Sequence, residues 1–453
     1  MSVLSRLTQW WNGRTGRGAF VLSGVGLMLA KYNVDRLIAF AFGRTDWNWT
    51  NYWRPANGPL QLVSTSEARV FDALLAAALP FIAVGVLLTV RRLRDCDWPM
   101  WLVVLFFIPA VNVVFFAVLA AMPPRLETHQ VPELPAPWWL PRSKLGSALA
   151  AIGLTSLLGA AGIFAATKVF QTYGAGIFVA LPFTLGLSAS VIYSLNAPRT
   201  LRECLGLTTL AVGVCALLVF GVALEGGLCI VMAAPLALVV ALFGALVGHS
   251  IARIRLPTVQ SAPWAAVFCL VVLEAYETSE PPLIAATTTV VVNASPELVW
   301  PHVVEFSELP RPTEWVFRTG IAYPVRAHID GTGVGAIRRC EFSTGPFIEP
   351  ITVWNEPHHL AFGVTQQPHP MRELSPYRSL EPAHLEGFFR SRRGEFVLTR
   401  LPDGRTELAG TTWYDQRIWP NRYWQVWSDY LVHRIHTRVL NHIKTEVEAS
   451  SKS

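Results

Sequence analysis

The chain has 453 residues, of which 52% are hydrophobic and 15% charged, and its mean hydropathy is +0.37. Soluble domains carry about a quarter of charged residues, so a soluble protein over the whole length is excluded and lipid is implied as one solvent. The net charge of +6 is scattered through short loops and strands, with no basic run interleaved with aromatics, which excludes a nucleic-acid partner.

The apolar character is uneven. Residues 99–275 contain long uncharged runs, whereas residues 277–453 carry charge at ordinary soluble density. Six cysteines (Cys96, Cys204, Cys215, Cys229, Cys269, Cys340) form no CxxC pair, so neither a disulfide framework nor a metal site is expected from spacing. Arg6, Arg14 and Arg17 precede a first apolar run that no small-residue cleavage site follows, the pattern of a retained anchor.

A spanning helix needs about 20 mostly apolar residues. Eight segments qualify or nearly do: 19–42, 68–90, 99–122, 145–167, 174–195, 206–224, 227–249 and a short one at 262–273. The first holds Lys31, Asp35 and Arg36, and Lys31 and Asp35 share a helical face at four-residue spacing. They form either a structural ion pair or a proton or substrate site. The stretch 46–54 interleaves Trp47, Trp49, Tyr52 and Trp53 with polar residues, the composition of a headgroup-level belt.

Basic residues at Arg91, Arg92 and Arg94 place that loop in the cytoplasm by the positive-inside rule. The basic loops at Arg125, Arg142 and Lys144, at Arg199 and Arg202, and at Arg253 and Arg255 fall on one side together. They share the side of Arg91 only if 99–122 enters and returns, which a bend at Pro109-Ala-Val-Asn112 allows.

Three features of this first part, Gly13-Arg-Thr-Gly-Arg-Gly-Ala-Phe20, Arg91-Arg-Leu-Arg-Asp95 and Trp101 with Ile108-Pro109, carry a resemblance to the bacterial domain-of-unknown-function family 805 over about residues 10–125. The chain departs from that pattern at Arg94, where the family usually has His, and at Asn112, where Gly is usual. The family supplies no activity. Residues 126–276 read as further spans rich in Ala, Gly and Leu, small residues that permit close helix packing.

Residues 277–285 have an acidic, Pro-containing linker composition. Thr287-Thr-Thr-Val-Val-Val292 is strand-like, and Ser295-Pro296 then starts a helix with Leu298, Val299 and Val303 on its apolar face. Six strands are expected at 323–329, 336–342, 347–354, 359–365, 394–400 and 406–414, with turn chemistry at 330–335 and 402–404. A final helix over 421–447 carries a stripe from Tyr423, Trp424 and Trp427 through Leu431, Ile435, Val439 and Ile443 to Val447.

Ala294-Ser-Pro-Glu-Leu-Val-Trp300, Glu356-Pro-His-His-Leu-Ala-Phe362 and Gly404-Arg-Thr-Glu-Leu408, in this order, resemble the SRPBCC superfamily of START-like, polyketide cyclase/dehydrase and lipid-transport domains over residues 286–448. The resemblance implies a multi-span α-helical membrane region followed by an α+β helix-grip domain, a curved antiparallel sheet around a long C-terminal helix. It also implies an apolar cavity, for which Trp354, Phe362, Trp413, Trp424 and Trp427 are the candidate walls, as packing or as ligand contacts.

Catalytic signals are weaker. His433, His436 and His442 fall beside the apolar stripe and read as a solvated flank. Glu341, Glu349 and Asp415 are strand carboxylates able to act as bases if buried. Arg338, Arg390 and Arg392 suit either a solvent-facing sheet surface or a lipid phosphate. The long Pro-rich loop 367–387 resembles a lid, with Met371, Tyr377, His384 and Glu386 as candidate contacts.

The expected function is binding or carriage of an apolar small molecule or lipid at the bilayer, without cofactor or metal. A cyclase, dehydratase or hydrolase using a cavity carboxylate or His, and a ligand-sensing regulatory or scaffolding protein, are the alternatives. The expected location is the bacterial plasma membrane, with the soluble domain on the outer face because Arg253 and Arg255 precede segment 262–273 while Glu274, Glu277 and Glu280 follow it.

Overall fold

In the computed structural model the described residues are 13–42, 65–96, 98–107, 111–122, 138–252, 271, 281, 283–377 and 382–450. The aromatic stretch 46–54, the linker up to 280, most of 262–273 and the basic residues Arg125, Arg253 and Arg255 lie outside them. The chain divides into two units, residues 1–134 with 253–255, and 135–252 with 256–453. Among the described residues five helices are long and apolar enough to cross a membrane, and the protein is a membrane protein.

In the first unit, helices α1 (Arg17–Ala41) and α2 (Thr65–Asp95) are followed by a 3-10 helix (Met100–Phe107) and α3 (Val111–Ala121). The expected span 99–122 is therefore not one rod. It holds two helices of different type, and Phe106 of the first packs back on Phe116 of the second with ring centroids 5.6 Å apart. Both of its ends lie beside the end of α2, because the fully buried Arg92 donates from Nε to the Leu119 carbonyl at 3.0 Å and from Nη2 to that of Met122, and pairs with Asp95. The start and the end of the segment therefore lie together. Placing a guanidinium there satisfies two carbonyls that α3 leaves open at its C-terminus. Arg91 also meets the start of α1, where Thr15 N–H donates to the Arg91 carbonyl at 3.4 Å. The motif segments thus contact one another. Lys31 pairs with the buried Asp35 within α1.

The second unit opens with four helical segments: α4 (Lys144–Phe164) extended by a π turn (Ala165–Val169), a π turn (Gly176–Ala180) leading into α5 (Leu181–Ser194), α6 (Leu201–Gly221) and α7 (Gly227–Ala252). Helix α5 is the buried one. Its close approach to α7 depends on small residues: a Cβ at Gly244 would lie 2.0 Å from the Phe183 carbonyl oxygen, the small-residue packing that membrane helices use. Ser143 caps α4 and a Thr200–Glu203 capping box starts α6. At this end Lys144 pairs with Glu203, Asn196 donates to the Pro141 carbonyl at 2.8 Å, and Cys204 meets His249 at 3.7 Å.

The rest of the unit is a helix-grip domain. Strands β1 (Ile284–Val292), β2 (Pro324–Asp330), β3 (Ile337–Phe342), β4 (Gly345–Asn355), β5 (His359–Gly363), β6 (Phe389–Arg400) and β7 (Thr406–Gln416) form one antiparallel sheet in the order β1-β7-β6-β5-β4-β3-β2. Register shifts in β2, β4 and β6 bend it, as bulges do. The β2–β3 turn needs Gly331, Gly333 and Gly335 because each has positive φ. Helices α8 (Pro296–Val304) and α9 (Trp315–Arg318) follow β1, and α10 (Asn421–Ser450) lies in the curl of the sheet. The core joins Trp300, Leu360, Leu408, Leu440, Ile443 and Val447.

Candidate functional site

Helix α10 positions the site because its apolar stripe divides in two. Ile443 and Val447 are closed into the core, whereas Trp427, Leu431 and Ile435 face a cavity of about 240 Å³ between helix and sheet. Along α10 the lining runs from Trp424 to Leu440, roughly 24 Å at 1.5 Å per residue, so the space is long and narrow. Phe342, Phe347, Phe362 and Phe396 form the opposite wall.

Arg338 stands at the end near Leu440, and it is buried. Its Nε donates to the Val304 carbonyl at 3.1 Å, its Nη1 pairs with Glu349, and the rings of Phe306, Phe362 and Phe396 lie 5.4–5.7 Å from the guanidinium carbon. Among the described residues its Nη2 is buried with no geometric hydrogen-bond partner, although the Cys340 thiol interacts with the guanidinium. Burial pushes the Glu349 carboxyl pKa up against the opposing pull of Arg338, and pushes the Cys340 thiol up to about 12.

The other end of the cavity meets the helical bundle. Trp424 packs edge-on against Phe178, Tyr423 donates to the Met232 carbonyl, and Trp419 N–H donates to the Tyr173 carbonyl at 2.9 Å. A second cavity of about 160 Å³ lies among the bundle helices, and Cys229, His384, Ile418 and Trp424 line both spaces.

Between the two cavities sits a polar cluster. Cys229, in the first turn of α7, has Sγ 3.1 Å from His384 Nε2 and 3.0 Å from Glu373 Oε1, and Glu373 Oε1 is 3.1 Å from His384 Nε2. On the far side of the ring, His384 Nδ1 is 3.1 Å from Glu225 Oε2, and the Tyr173 hydroxyl donates to Glu225 Oε1. Burial opposes a charge on His384, but Cys229, Glu225 and Glu373 around both ring nitrogens outweigh it and hold its pKa well above the ordinary value. Burial and the Glu225 carboxylate raise that of Tyr173.

Of the residues named from sequence, Phe362, Trp424, Trp427, Met371 and His384 line the main cavity. Trp354 does not: it stacks edge-on with Trp300, 5.6 Å away, in the core. Trp413 lies under Arg393, whose guanidinium carbon is 4.1 Å from the ring centroid; the alternation of β7 turns it away from the cavity. Tyr377 reaches the Gly221 carbonyl, and Glu386 is exposed with His369 at 4.0 Å.

Arg338 departs from the surface reading, since it is buried with Glu349. Arg392 pairs with Asp415 and Glu341 with Arg326. His436 is also no solvated flank: it bonds Thr412 at 2.8 Å and Thr288 at 3.2 Å, and lines the cavity. Burial, with nearby His433, lowers its pKa to about 4. His442 bonds Ser307 at 3.1 Å.

Sequence reasoning missed Cys229, Glu225, Glu373 and Tyr173 as a group. Cys229 and His384 are 155 residues apart, so no spacing motif exists. The available signal was Glu225 followed by Gly226-Gly227 at the mouth of an apolar span.

Fold and site define a membrane protein with a C-terminal helix-grip domain docked on a helical bundle. Residues 9–130 match the model of a family described as a protein of unknown function (DUF805). No curated protein matches the chain. Among solved structures the chain is similar to norcoclaurine synthase of Thalictrum flavum, a point mutant in complex with a transition-state analogue, at 11% identity over 39% of this chain and 100% of that one, with a TM-score of 0.26. It is also similar to the Zhui aromatase/cyclase from Streptomyces sp. R1128, at 16% identity over 37% and 94% with a TM-score of 0.24. The protein XoxI from Bacillus cereus matches at 15% identity over 36% and 94%, with a TM-score of 0.24.

Proposed function

We propose that the protein binds or carries an elongated amphipathic molecule of lipid type, taken up where the helix-grip cavity abuts the membrane helices. The observation that carries this reading is the shape and chemistry of the cavity. It is long, walled by aromatic and aliphatic side chains, ends at one side on bundle residues Cys229 and Met232, and holds at its other end the buried Nη2 of Arg338. Apolar pockets with a few placed polar groups suit such ligands, and a guanidinium donor in apolar surroundings favours a carboxylate or phosphate head.

The domain's side of the membrane belongs to the same reading. Within the second unit, Arg142, Lys144, Arg199 and Arg202 gather at one end of the bundle, and the helix-grip domain docks at the opposite end through Tyr173, Gly221 and Gly227. Helix α7 finishes at the basic end, whereas Val271 is buried with Phe178 and Trp424 at the other. With the basic loops cytoplasmic, the domain faces outward.

The test is native mass spectrometry of the full chain released from detergent, beside a variant with the cavity filled, Ile435→Trp. A copurified lipid on the wild type, reduced at least about tenfold in a variant of unchanged thermal stability, supports carriage. An empty wild-type chain that also fails to bind a fluorescent fatty acid would sink it.

A further inference from the structure

We propose that Cys229, Glu373 and His384 form a site for a divalent transition-metal ion, zinc in the first instance, joining the first turn of α7 to the loop before β6. The inference is independent of the lipid-binding reading and rests on three observations.

Geometry comes first. Sγ of Cys229, Oε1 of Glu373 and Nε2 of His384 form a near-equilateral triangle with sides of 3.0–3.1 Å, and they are the group of potential ligand atoms that converges among the described residues. Tetrahedral zinc with bonds of about 2.0–2.3 Å sets its ligand atoms roughly 3.3–3.8 Å apart, so each atom has to retreat by only a few tenths of an ångström. A thiolate, an imidazole and a carboxylate are all zinc ligands, and the mixed soft and borderline set disfavours magnesium and calcium.

Charge is the second. Two buried carboxylates, Glu225 and Glu373, have one ion-pair partner between them among the described residues, His384. The side chain of Glu373 is 0% exposed, and its Oε2 has no hydrogen-bond partner. Buried carboxylates without compensation are costly; a dication bound to thiolate and carboxylate offsets the excess. The carboxylate lies close against Gly226, where a Cβ would come 1.6 Å from Glu373 Oε2.

The surroundings of His384 are the third. Its Nε2 faces the triangle while Nδ1 faces Glu225, which Tyr173 holds in turn. Metal-bound imidazoles almost always place their other nitrogen on a carboxylate, carbonyl or water, which fixes the tautomer. Three protein ligands leave a fourth position, and Cys229 and His384 line both cavities, so an exchangeable ligand has room there.

Full-length protein, purified without a polyhistidine tag and stripped with chelator, is titrated with zinc and with cobalt(II). About one ion per chain is expected, and the cobalt form should show thiolate-to-metal charge-transfer absorption. Cys229→Ser should abolish that absorption, and Glu373→Gln and His384→Gln should each weaken binding at least about a hundredfold. Glu225→Gln should keep the absorption but weaken binding about ten- to hundredfold. Cys204→Ser, at the opposite end of the bundle, should change nothing. Gel filtration and thermal unfolding in detergent show that each variant is folded. A folded wild type that takes up no ion overturns the site, as does binding unaltered in both Cys229→Ser and His384→Gln, or absorption that disappears with Cys204 instead.

Discussion

Trp424 in the first turn of α10 meets Phe178 of the bundle edge-on, with ring centroids 5.2 Å apart. The helix that closes the ligand domain is therefore also the helix that docks it. The core around Leu408, Leu440 and Ile443 is complete without the bundle, so residues 283–453 expressed alone should fold. They should also expose Trp424, Tyr423 and Ile418, which in the whole chain pack with bundle residues. Circular dichroism should give a native strand and helix content, and the fragment should associate with neutral phosphatidylcholine vesicles. Trp424→Ser should reduce that association severalfold; an unfolded fragment, or one indifferent to vesicles, would contradict this division of labour.

The Arg338–Glu349 pair is buried and only partly satisfied. Glu349→Ala leaves the guanidinium uncompensated, and denaturant unfolding should register a loss of about 3–5 kcal/mol. Replacing both, Arg338→Met with Glu349→Leu, should recover most of that stability. If Arg338 anchors an acidic head, the double variant should still bind a long-chain alcohol while losing preference for the matching fatty acid. Equal preference for the acid in wild type and double variant removes Arg338 from the ligand site.

His436 is held neutral between sheet and helix, its pKa lowered to about 4 from an unfolded value of about 6.5. Between these values the unfolded chain binds the extra proton, so stability rises with pH across the window and is lost as pH falls from about 6.5 through 4. The contribution is on the order of 3 kcal/mol. Chemical denaturation at pH 7.5 and pH 5 should show a larger drop for wild type than for His436→Gln. Identical pH dependence in the two would mean that His436 titrates normally.

Sidedness follows from the two ends of the bundle. Thr332 is exposed in the β2–β3 turn, and Thr332→Cys should react with an impermeant maleimide in intact cells, or in spheroplasts where an outer membrane blocks access, at a rate well above wild type. Labelling that waits for permeabilisation would put the domain in the cytoplasm and reverse the reading of the basic loops.

Much of the fold was legible because its signals are local. Strand alternation, turn glycines at 331, 333 and 335, and the stripe on α10 each report on a few neighbouring residues, and the seven strands lie within a few residues of their expected positions. Within 99–122 one helix has ended at Phe107 and the next begins at Val111, beside the bend expected at 109–112, with Pro109 itself outside the described residues. The candidate site was harder because its chemistry is non-local. Arg338 looked like any strand arginine until β3 and β4 set Glu349 opposite it in register. His384 and Cys229 meet only because the loop after β5 lies across the mouth of α7, a placement that no spacing encodes. Trp354 and Trp413 failed as cavity walls for a simpler reason: aromatic identity does not say which face of a sheet a residue takes.

That loop has a consequence for how the cavity opens. Besides the contacts of Cys229 with Glu373 and His384, the loop is held to the bundle by Gly227 N–H on the Leu374 carbonyl at 2.8 Å, by the Tyr377 hydroxyl on the Gly221 carbonyl, and by His384 beside Glu225. A segment stapled in this way cannot swing as a free flap. If the cavity takes the ligand proposed above, passage beneath this segment requires the staples to part, and exchange by that route follows the undocking of the domain from its own anchor.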